Sequence, residues 1–161
     1  MKTKIILFSV LALLFAACNN NEPEKGSQSY TINELTFTYY LSDLEGNIKN
    51  TFSKEELLVV HLNIENNSRY ILLAHVDNLG NCYNSQGQFM EEMSTYIFND
   101  TLPAYKTILT GETSCFTYAF FTSISSGLYH YQNPQVSLSS PDNEGDKNEY
   151  IIPLTTNFKV Q

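Results

Sequence analysis

Two cysteines in the body of the chain, Cys82 and Cys115, are the side chains best suited to covalent chemistry. In an exported domain, an even pair of cysteines favours a disulfide. Such a bridge would close a loop of about 34 residues and stabilise the fold by roughly 3–4 kcal/mol. The alternative is two separate thiols. A nucleophilic thiol would need a neighbouring base, and the spacing of the three histidines identifies none, so no catalytic residue is predicted.

The histidines and the acidic residues offer two candidate metal sites. His61 and His75 flank a predicted turn and would lie on neighbouring strands, but no third ligand accompanies them. Asp142, Glu144 and Asp146 alternate with other residues as calcium ligands do in a loop. The run lacks the bidentate glutamate of a full calcium loop. The sequence therefore favours a solvated acidic loop that spans residues 139–148. No cofactor is predicted.

The first 18 residues have the order of a secretory signal. Two lysines give a positive start, residues 5–15 are almost all apolar, and two alanines precede Cys18. A positive end, a short apolar run and small residues before a cleavage site are typical of a removable signal peptide. The apolar run is too short to cross about 30 Å of hydrocarbon as a helix. We therefore expect residues 1–17 to be removed.

Phe15-Ala16-Ala17-Cys18 resembles the lipobox of bacterial lipoproteins, with phenylalanine in place of the usual leucine. The resemblance implies diacylglycerol on the Cys18 sulfur and an acyl group on its new amine, and two or more chains anchor a protein firmly to membrane lipid. The polar run that completes residues 18–29 predicts a flexible tether. Asn19 resembles the pattern of outer-membrane lipoproteins, and the Asn-rich tether resembles those of Bacteroidetes. The sequence leaves open which face of the membrane carries the domain.

Asp100-Thr101-Leu102 resembles the short acceptor for O-glycosylation of exported Bacteroidetes proteins. The resemblance implies Thr101 as a site of glycan attachment. The alternative is a chance occurrence of a three-residue pattern. The expectation depends on export, and therefore on the signal peptide.

Alternating apolar and polar residues dominate the chain after residue 30 and predict strands. The pattern is clearest in residues 35–41 and 58–64. Residues 89–93 predict a single helical turn. Asparagine, aspartate and glycine separate the alternating runs at roughly even spacing. About seven short strands in one domain over residues 30–161 predict an all-β, two-sheet antiparallel sandwich.

Residues 30–161 resemble the immunoglobulin-like domains of small Bacteroidetes lipoproteins, most clearly in the closing segment Leu154-Thr155-Thr156-Asn157-Phe158-Lys159-Val160. This implies an immunoglobulin-like sandwich without an assigned activity, although the absence of tryptophan departs from true immunoglobulin cores. Residues 53–68, ending Leu62-Asn63-Ile64-Glu65-Asn66-Asn67-Ser68, also resemble the BsuPI-type proteinase-inhibitor domain. That resemblance implies an exposed inhibitory loop, at residues 78–87 or 139–148.

The charge of the chain limits its partners. A formal net charge of −8 argues against nucleic-acid binding, which requires lysine and arginine to displace counterions, and against electrostatic docking on anionic lipid. The favoured function is a non-enzymatic, lipid-anchored binding or structural module for a protein or glycan. The alternatives are a proteinase inhibitor and an enzyme, which would need a pocket with converging carboxylates or histidines.

Overall fold

A computed structural model describes residues 26–93, 105–122, 124–141 and 143–161, and for residues 143–146 it describes the backbone alone. In these ranges the chain forms twelve strands and one 3₁₀ turn. The strands are β1 (Gln28–Ile32), β2 (Leu35–Ser42), β3 (Thr51–Phe52), β4 (Leu57–Asn66), β5 (Leu72–Asn78), β6 (Asn81–Asn84), β7 (Lys106–Ile108), β8 (Thr113–Phe121), β9 (Gly127–Gln132), β10 (Gln135–Ser140), β11 (Asn143–Ile151) and β12 (Thr155–Val160). The 3₁₀ turn at Glu91–Met93 confirms the predicted helical turn.

One layer is an antiparallel sheet in the order β1-β2-β4-β8. Its central strand β4 confirms the predicted alternation, because every second side chain from Leu58 to Ile64 is completely buried and those between are partly exposed. Directly paired residues project from the same face of a sheet. The pairing of Tyr40 with His61 and of Asn63 with Cys115 therefore puts these four side chains on the outer face.

The second layer consists of two four-stranded sheets, in the orders β11-β10-β5-β7 and β3-β12-β9-β6. They are two halves of one bent layer, because the same register continues from one sheet to the other: Asn78 pairs with Gln135, and Asn81 pairs with Gln132. We call the interruption between these two residue pairs the break. Pro153 lies beside this break, between β11 and β12. A residue without a backbone N–H interrupts no ladder of strand hydrogen bonds there. Among the described strands, the pairing of β12 with β3 is parallel and the others are antiparallel.

Tyr39 joins the first layer to this break. Its side chain is completely buried and its hydroxyl donates a hydrogen bond to the Leu79 carbonyl. Burial raises the pKa of Tyr39 well above its usual value, so the hydroxyl keeps its proton. Gly80 follows with a φ of +101°, and a Cβ there would lie 2.7 Å from the Tyr39 hydroxyl oxygen and 2.8 Å from the Gln132 carbonyl oxygen. The break therefore requires glycine for both backbone conformation and space.

The two layers confirm the predicted all-β, immunoglobulin-like sandwich, but three details of the prediction are wrong. In the described ranges twelve strands are formed rather than about seven, in part because the long strands of the second layer are interrupted at the break. β1 begins at Gln28, inside the predicted tether. His61 and His75 lie on β4 and β5, which belong to different sheets, so they are not neighbours.

Within the segment 139–148, residues up to Ser140 lie in β10 and residues from Asn143 lie in β11, instead of in the predicted acidic loop. β10 runs to Ser140, which pairs with Asn143 at the start of β11. A strand advances about 3.3 Å per residue, so the backbone positions of Glu144 and Asp146 are spread along β11 rather than wrapped around one point. In the described part of this segment, two paired strand ends therefore replace the loop predicted for calcium or for protease contact, and Asp142 lies outside the described residues. In the other predicted inhibitory loop, residues 78–87, Asn78 ends β5 and Asn81–Asn84 form β6.

Candidate functional site

The turn between β1 and β2 places two polar residues at one end of the sandwich. Asn33 and Glu34 have φ values of +49° and +63°, as in a two-residue hairpin turn with two left-handed residues. Asparagine suits the first position, whereas glycine is usual at the second. The chain therefore keeps a carboxylate where glycine would be less strained. The Glu34 carbonyl accepts a hydrogen bond from the Asn67 amide at 2.9 Å, which joins this turn to the next loop.

The loop after β4 is built around Asn66, whose side chain is completely buried. Its amide nitrogen donates to the carbonyls of Tyr70 and Ile108, at 2.7 and 3.0 Å. Its amide oxygen accepts from the backbone N–H and the hydroxyl of Ser68, at 3.1 and 2.7 Å. All hydrogen-bonding capacity of this amide is thus used within the loop and with β7. The result is a fixed course for residues 67–70 and a defined position for Tyr70.

Tyr70 stands at the edge of a groove of about 530 Å³ between the two layers. Its side chain is 61% exposed, and the Arg69 guanidinium lies 5.2 Å from the ring centroid. A second, half-buried tyrosine, Tyr150, lines the same groove. We call this site the end groove; it is lined by Asn33, Glu34, Leu35, Ser68, Tyr70, Leu72, Leu138, Ser139, Ser140, Asn148 and Tyr150.

The end groove is suited to binding. Its leucines and tyrosines offer apolar contact, while amide, hydroxyl and carboxylate groups offer hydrogen bonds, a composition typical of small-ligand sites. Its volume also lies in the usual range for such sites. Glu34 is the one carboxylate among its lining residues. These residues therefore do not form the pair of carboxyl groups that glycoside hydrolysis uses.

A second aromatic surface lies on the outer face of β6 and β9. Tyr83 stacks on His130 with ring centroids 5.6 Å apart, and Phe89 meets Tyr83 edge-on at 5.9 Å. We call these three residues the outer aromatic cluster. It borders a groove of about 400 Å³, lined in part by His130 and Asn157. The rings of the outer aromatic cluster pack on one another. Of the two surfaces, the end groove therefore presents the more open aromatic face.

No disulfide joins Cys82 and Cys115, and the predicted bridge is wrong. Cys82 is completely buried in the core between the layers, and burial raises the pKa of its thiol to about 12. Cys115 pairs with Asn63 and projects from the outer face of the first sheet. The two sulfur atoms therefore lie on opposite sides of that sheet, and a bond of about 2 Å between them is excluded.

His61 is a neighbour of Cys115 that sequence spacing does not identify. Its Nδ1 lies 3.7 Å from Cys115 Sγ, and its Nε2 lies 2.7 Å from Ser42 Oγ. The Tyr40 ring stacks on the imidazole, with centroids 4.5 Å apart and planes 6° from parallel. Burial lowers the pKa of His61 to about 4, so the imidazole is neutral at pH 7 and a weak base. The pair is therefore poorly suited to act as a nucleophile and its base.

The remaining predicted site residues are apart from these features. His75 binds Asp77, with 2.8 Å between Nδ1 and Oδ1. Within the described ranges, no three histidine, cysteine, aspartate or glutamate side chains are grouped to hold a metal ion. Cys18 and Thr101 lie outside those ranges, so lipidation and glycosylation stay predictions. Across the part of the chain that the structure describes, no helix has the length and apolarity needed to span a bilayer.

The end groove was missed by sequence reasoning. Alternation predicts Tyr70 as the first residue of a strand, but β5 begins at Leu72 and Tyr70 belongs to the preceding loop. The turn signal at residues 66–68 was readable in the sequence. That Asn66 would be the buried centre of this loop was not, because its partner Ile108 is 42 residues away in the chain.

Comparisons with known proteins concern the fold. No protein-family model matches the chain, and no curated protein matches it. The PapD-like domain 7 of human CEP192 is 11% identical, with 88% of this chain and 90% of that chain covered and a TM-score of 0.43. The C-terminal domain of wzt is 10% identical, with coverages of 87% and 80% and a TM-score of 0.45. The CARDB domain of a Pyrococcus furiosus protein, solved with di-metal ions, is 12% identical, with coverages of 88% and 100% and a TM-score of 0.40.

Proposed function

We propose that this protein is a lipid-anchored, non-enzymatic module of the cell envelope that binds a glycan in the end groove. The observation that carries this proposal is the composition of the groove, which is lined by two tyrosines and three leucines together with a carboxylate and two side-chain amides. Sugars present apolar C–H faces together with rows of hydroxyl groups. Aromatic rings with polar neighbours match both features.

The size and polarity of the groove favour a glycan over a protein partner. A stable protein interface buries about 800 Å² on each side and has an apolar centre. The end groove is instead a concave site of about 530 Å³ whose lining carries hydroxyl, amide and carboxylate groups. Such a lining can hydrogen-bond to a ligand that is itself rich in hydroxyl groups.

Lipidation at Cys18 would hold the domain with the end groove directed away from the membrane. β1 runs from Gln28 to Ile32 and ends at the Asn33–Glu34 turn, so its start and the end groove lie at opposite ends of this strand. The ten residue steps from Cys18 to Gln28 reach at most about 35 Å. The lipobox and Asn19 support an outer-membrane location.

The glycan proposal is tested with a glycan array and calorimetry on the full chain carrying Cys18→Ser. Tyr70→Ala should weaken binding about tenfold or more, equivalent to about 1.4 kcal/mol, because it removes the exposed ring of the groove. Phe89→Ala is the matched control, since Phe89 is also exposed, at 50%, but belongs to the outer aromatic cluster. This control should bind as the unmodified chain does.

Glu34→Gly separates binding from folding. Replacing a left-handed glutamate by glycine should stabilise the domain by about 1 kcal/mol while removing the carboxylate of the groove. Weaker glycan binding by this more stable variant would support the proposal. The proposal is contradicted if no glycan binds the unmodified chain, or if Phe89→Ala abolishes binding and Tyr70→Ala does not.

The anchor is tested separately by intact-mass analysis of the protein purified from its native host. We expect loss of residues 1–17 and the added mass of acyl chains, and a Cys18→Ser variant should lack that mass. A bare Cys18 sulfur, or a retained leader, would overturn the anchor. Neither result would bear on the end groove, because the residues that line it all follow β1.

A further inference from the structure

Cys115 and His61 come together on the outer face of the first sheet, whereas the end groove opens between the two layers. They lie on the neighbouring strands β8 and β4, with 3.7 Å between Cys115 Sγ and His61 Nδ1. Both side chains are partly shielded from solvent. A sulfur and an imidazole nitrogen at this separation are two donors of the kind that borderline-soft metal ions prefer.

Ser42 fixes the hydrogen position on His61. The hydroxyl of Ser42 donates its one hydrogen to the Asp43 carbonyl, at 2.7 Å. At its 2.7 Å contact with His61 Nε2, Ser42 can therefore only accept, so Nε2 carries the hydrogen of the neutral ring. The lone pair of Nδ1 consequently faces the Cys115 sulfur. Hydrogen bonds of this kind orient metal-binding histidines in proteins.

Asn63 supplies a third observation at the same place. It pairs directly with Cys115 and lies two residues from His61 on the same face of β4. Its side-chain oxygen is shielded from solvent and has no hydrogen-bond partner. A buried acceptor without a partner costs about 1–3 kcal/mol and calls for an explanation such as a bound ion.

We propose that Cys115, His61 and Asn63 form a binding site for one tetrahedral Zn²⁺ ion, held by the thiolate, Nδ1 and the amide oxygen, with the fourth position open to water. Bonds of about 2.3 Å to sulfur and about 2.0 Å to nitrogen give an angle of about 119° at the metal for the observed 3.7 Å separation. This is within about 10° of a tetrahedral angle, whereas linear coordination by Cu⁺ would require the two atoms to move apart.

Binding would replace one proton. The Cys115 thiol loses its hydrogen to solvent as the sulfur–zinc bond forms, and the neutral His61 contributes a lone pair without releasing a proton. The site therefore gains one net positive charge. Glu65, two residues beyond Asn63 on the same face of β4, and the negative charge of the whole chain partly offset this charge.

The test is a titration of the full chain carrying Cys18→Ala, reduced and metal-free, first with Co²⁺ as a spectroscopic substitute for zinc and then with Zn²⁺. We expect one equivalent of Co²⁺, a sulfur-to-cobalt charge-transfer band and the visible absorption of tetrahedral cobalt, all displaced by Zn²⁺. Cys115→Ala should abolish the charge-transfer band. Ser42→Ala should weaken affinity about 10- to 100-fold, because His61 loses the contact that orients it.

Control variants distinguish a site from a damaged fold. His130→Asn alters a histidine of the outer aromatic cluster and should leave the titration unchanged, and thermal unfolding of each variant should show that Cys115→Ala remains folded. Asn63→Ala should keep the charge-transfer band and weaken affinity, since it removes the oxygen donor alone. The proposal is overturned if cobalt binding persists in Cys115→Ala, if no band appears in the folded chain, or if only Cu⁺ binds.

Discussion

Substitution of Gly80 by alanine is the sharpest single test of the architecture. Gly80 has a φ of +101°, and an added Cβ would lie 2.7 Å from the Tyr39 hydroxyl oxygen and 2.8 Å from the Gln132 carbonyl oxygen. The backbone conformation alone costs a residue with a Cβ about 1–2 kcal/mol. Overpacking against fixed atoms adds about 1–3 kcal/mol. Gly80→Ala should therefore lower the free energy of unfolding by about 2–5 kcal/mol, a large part of the stability of a typical domain.

The measurement is equilibrium unfolding in urea, with Gly46→Ala as the matched control. Gly46 also has a positive φ, of +86°, but nothing lies within 4 Å of the Cβ that alanine would add. The control should therefore show the conformational cost of about 1–2 kcal/mol without the clash. The difference between the two variants isolates the contacts at the break in the second layer.

A double-mutant cycle with Tyr39→Phe assigns the clash to its partner. Tyr39→Phe alone should cost about 1–3 kcal/mol, because the Leu79 carbonyl loses its donor. In the double variant the hydroxyl oxygen is no longer in the way of the alanine Cβ, so the combined cost should be smaller than the sum of the single costs. The reasoning is refuted if Gly80→Ala costs no more than Gly46→Ala, or if the two substitutions at the break are additive.

Three further outcomes are expected. Asn66→Ala should destabilise the domain by at least about 2 kcal/mol in urea unfolding, because it removes the four hydrogen bonds of a completely buried side chain, including the one to the buried Ile108 carbonyl. Burial lowers the pKa of His61 from 6.5 to about 4, so the unfolded chain takes up the proton first as the pH falls. About 3 kcal/mol of stability, present above pH 6.5, should therefore be lost by pH 4. In His61→Gln, the free energy of unfolding measured across this pH range should depend less on pH. A thiol reagent should modify Cys115 in the folded domain and Cys82 only on unfolding, as peptide mapping would show, because Cys82 is completely buried with a pKa of about 12.

The interior of the sandwich could be predicted because its signal is local. In β2 and β4 every second residue is apolar, and these are the residues that form the core. Alternation of this kind depends on neighbours along the chain alone, since successive side chains of a strand point to opposite faces. The all-β class and the positions of the main turns follow from it.

The outer faces could not be predicted because they depend on which strands pair and in which register. Nothing near His61 in the sequence indicates that Cys115, 54 residues later, lies 3.7 Å from its imidazole. The run Asp77-Asn78-Leu79-Gly80-Asn81 has the composition of a turn, but it marks a break after which pairing resumes rather than the end of a strand. That continuation is a property of the neighbouring strand β9 and cannot be seen in the turn itself.

Two buried polar side chains of the first layer explain how the end groove acquires a defined width. Tyr39 on β2 bonds to the carbonyl of Leu79 at the break, and Asn66 on β4 bonds to the carbonyl of Ile108 on β7, so both connect the first layer to the second. Apolar side chains between two sheets tolerate small sliding movements, whereas a buried hydrogen bond fails when its distance or angle changes. The layers are therefore held in one relative position at two levels. Glu34 lies between β1 and β2 of the first layer and Tyr150 lies on β11 of the second. Their separation across the groove therefore depends on these two contacts, which makes Tyr39 and Asn66 positioning residues for a site that neither of them lines.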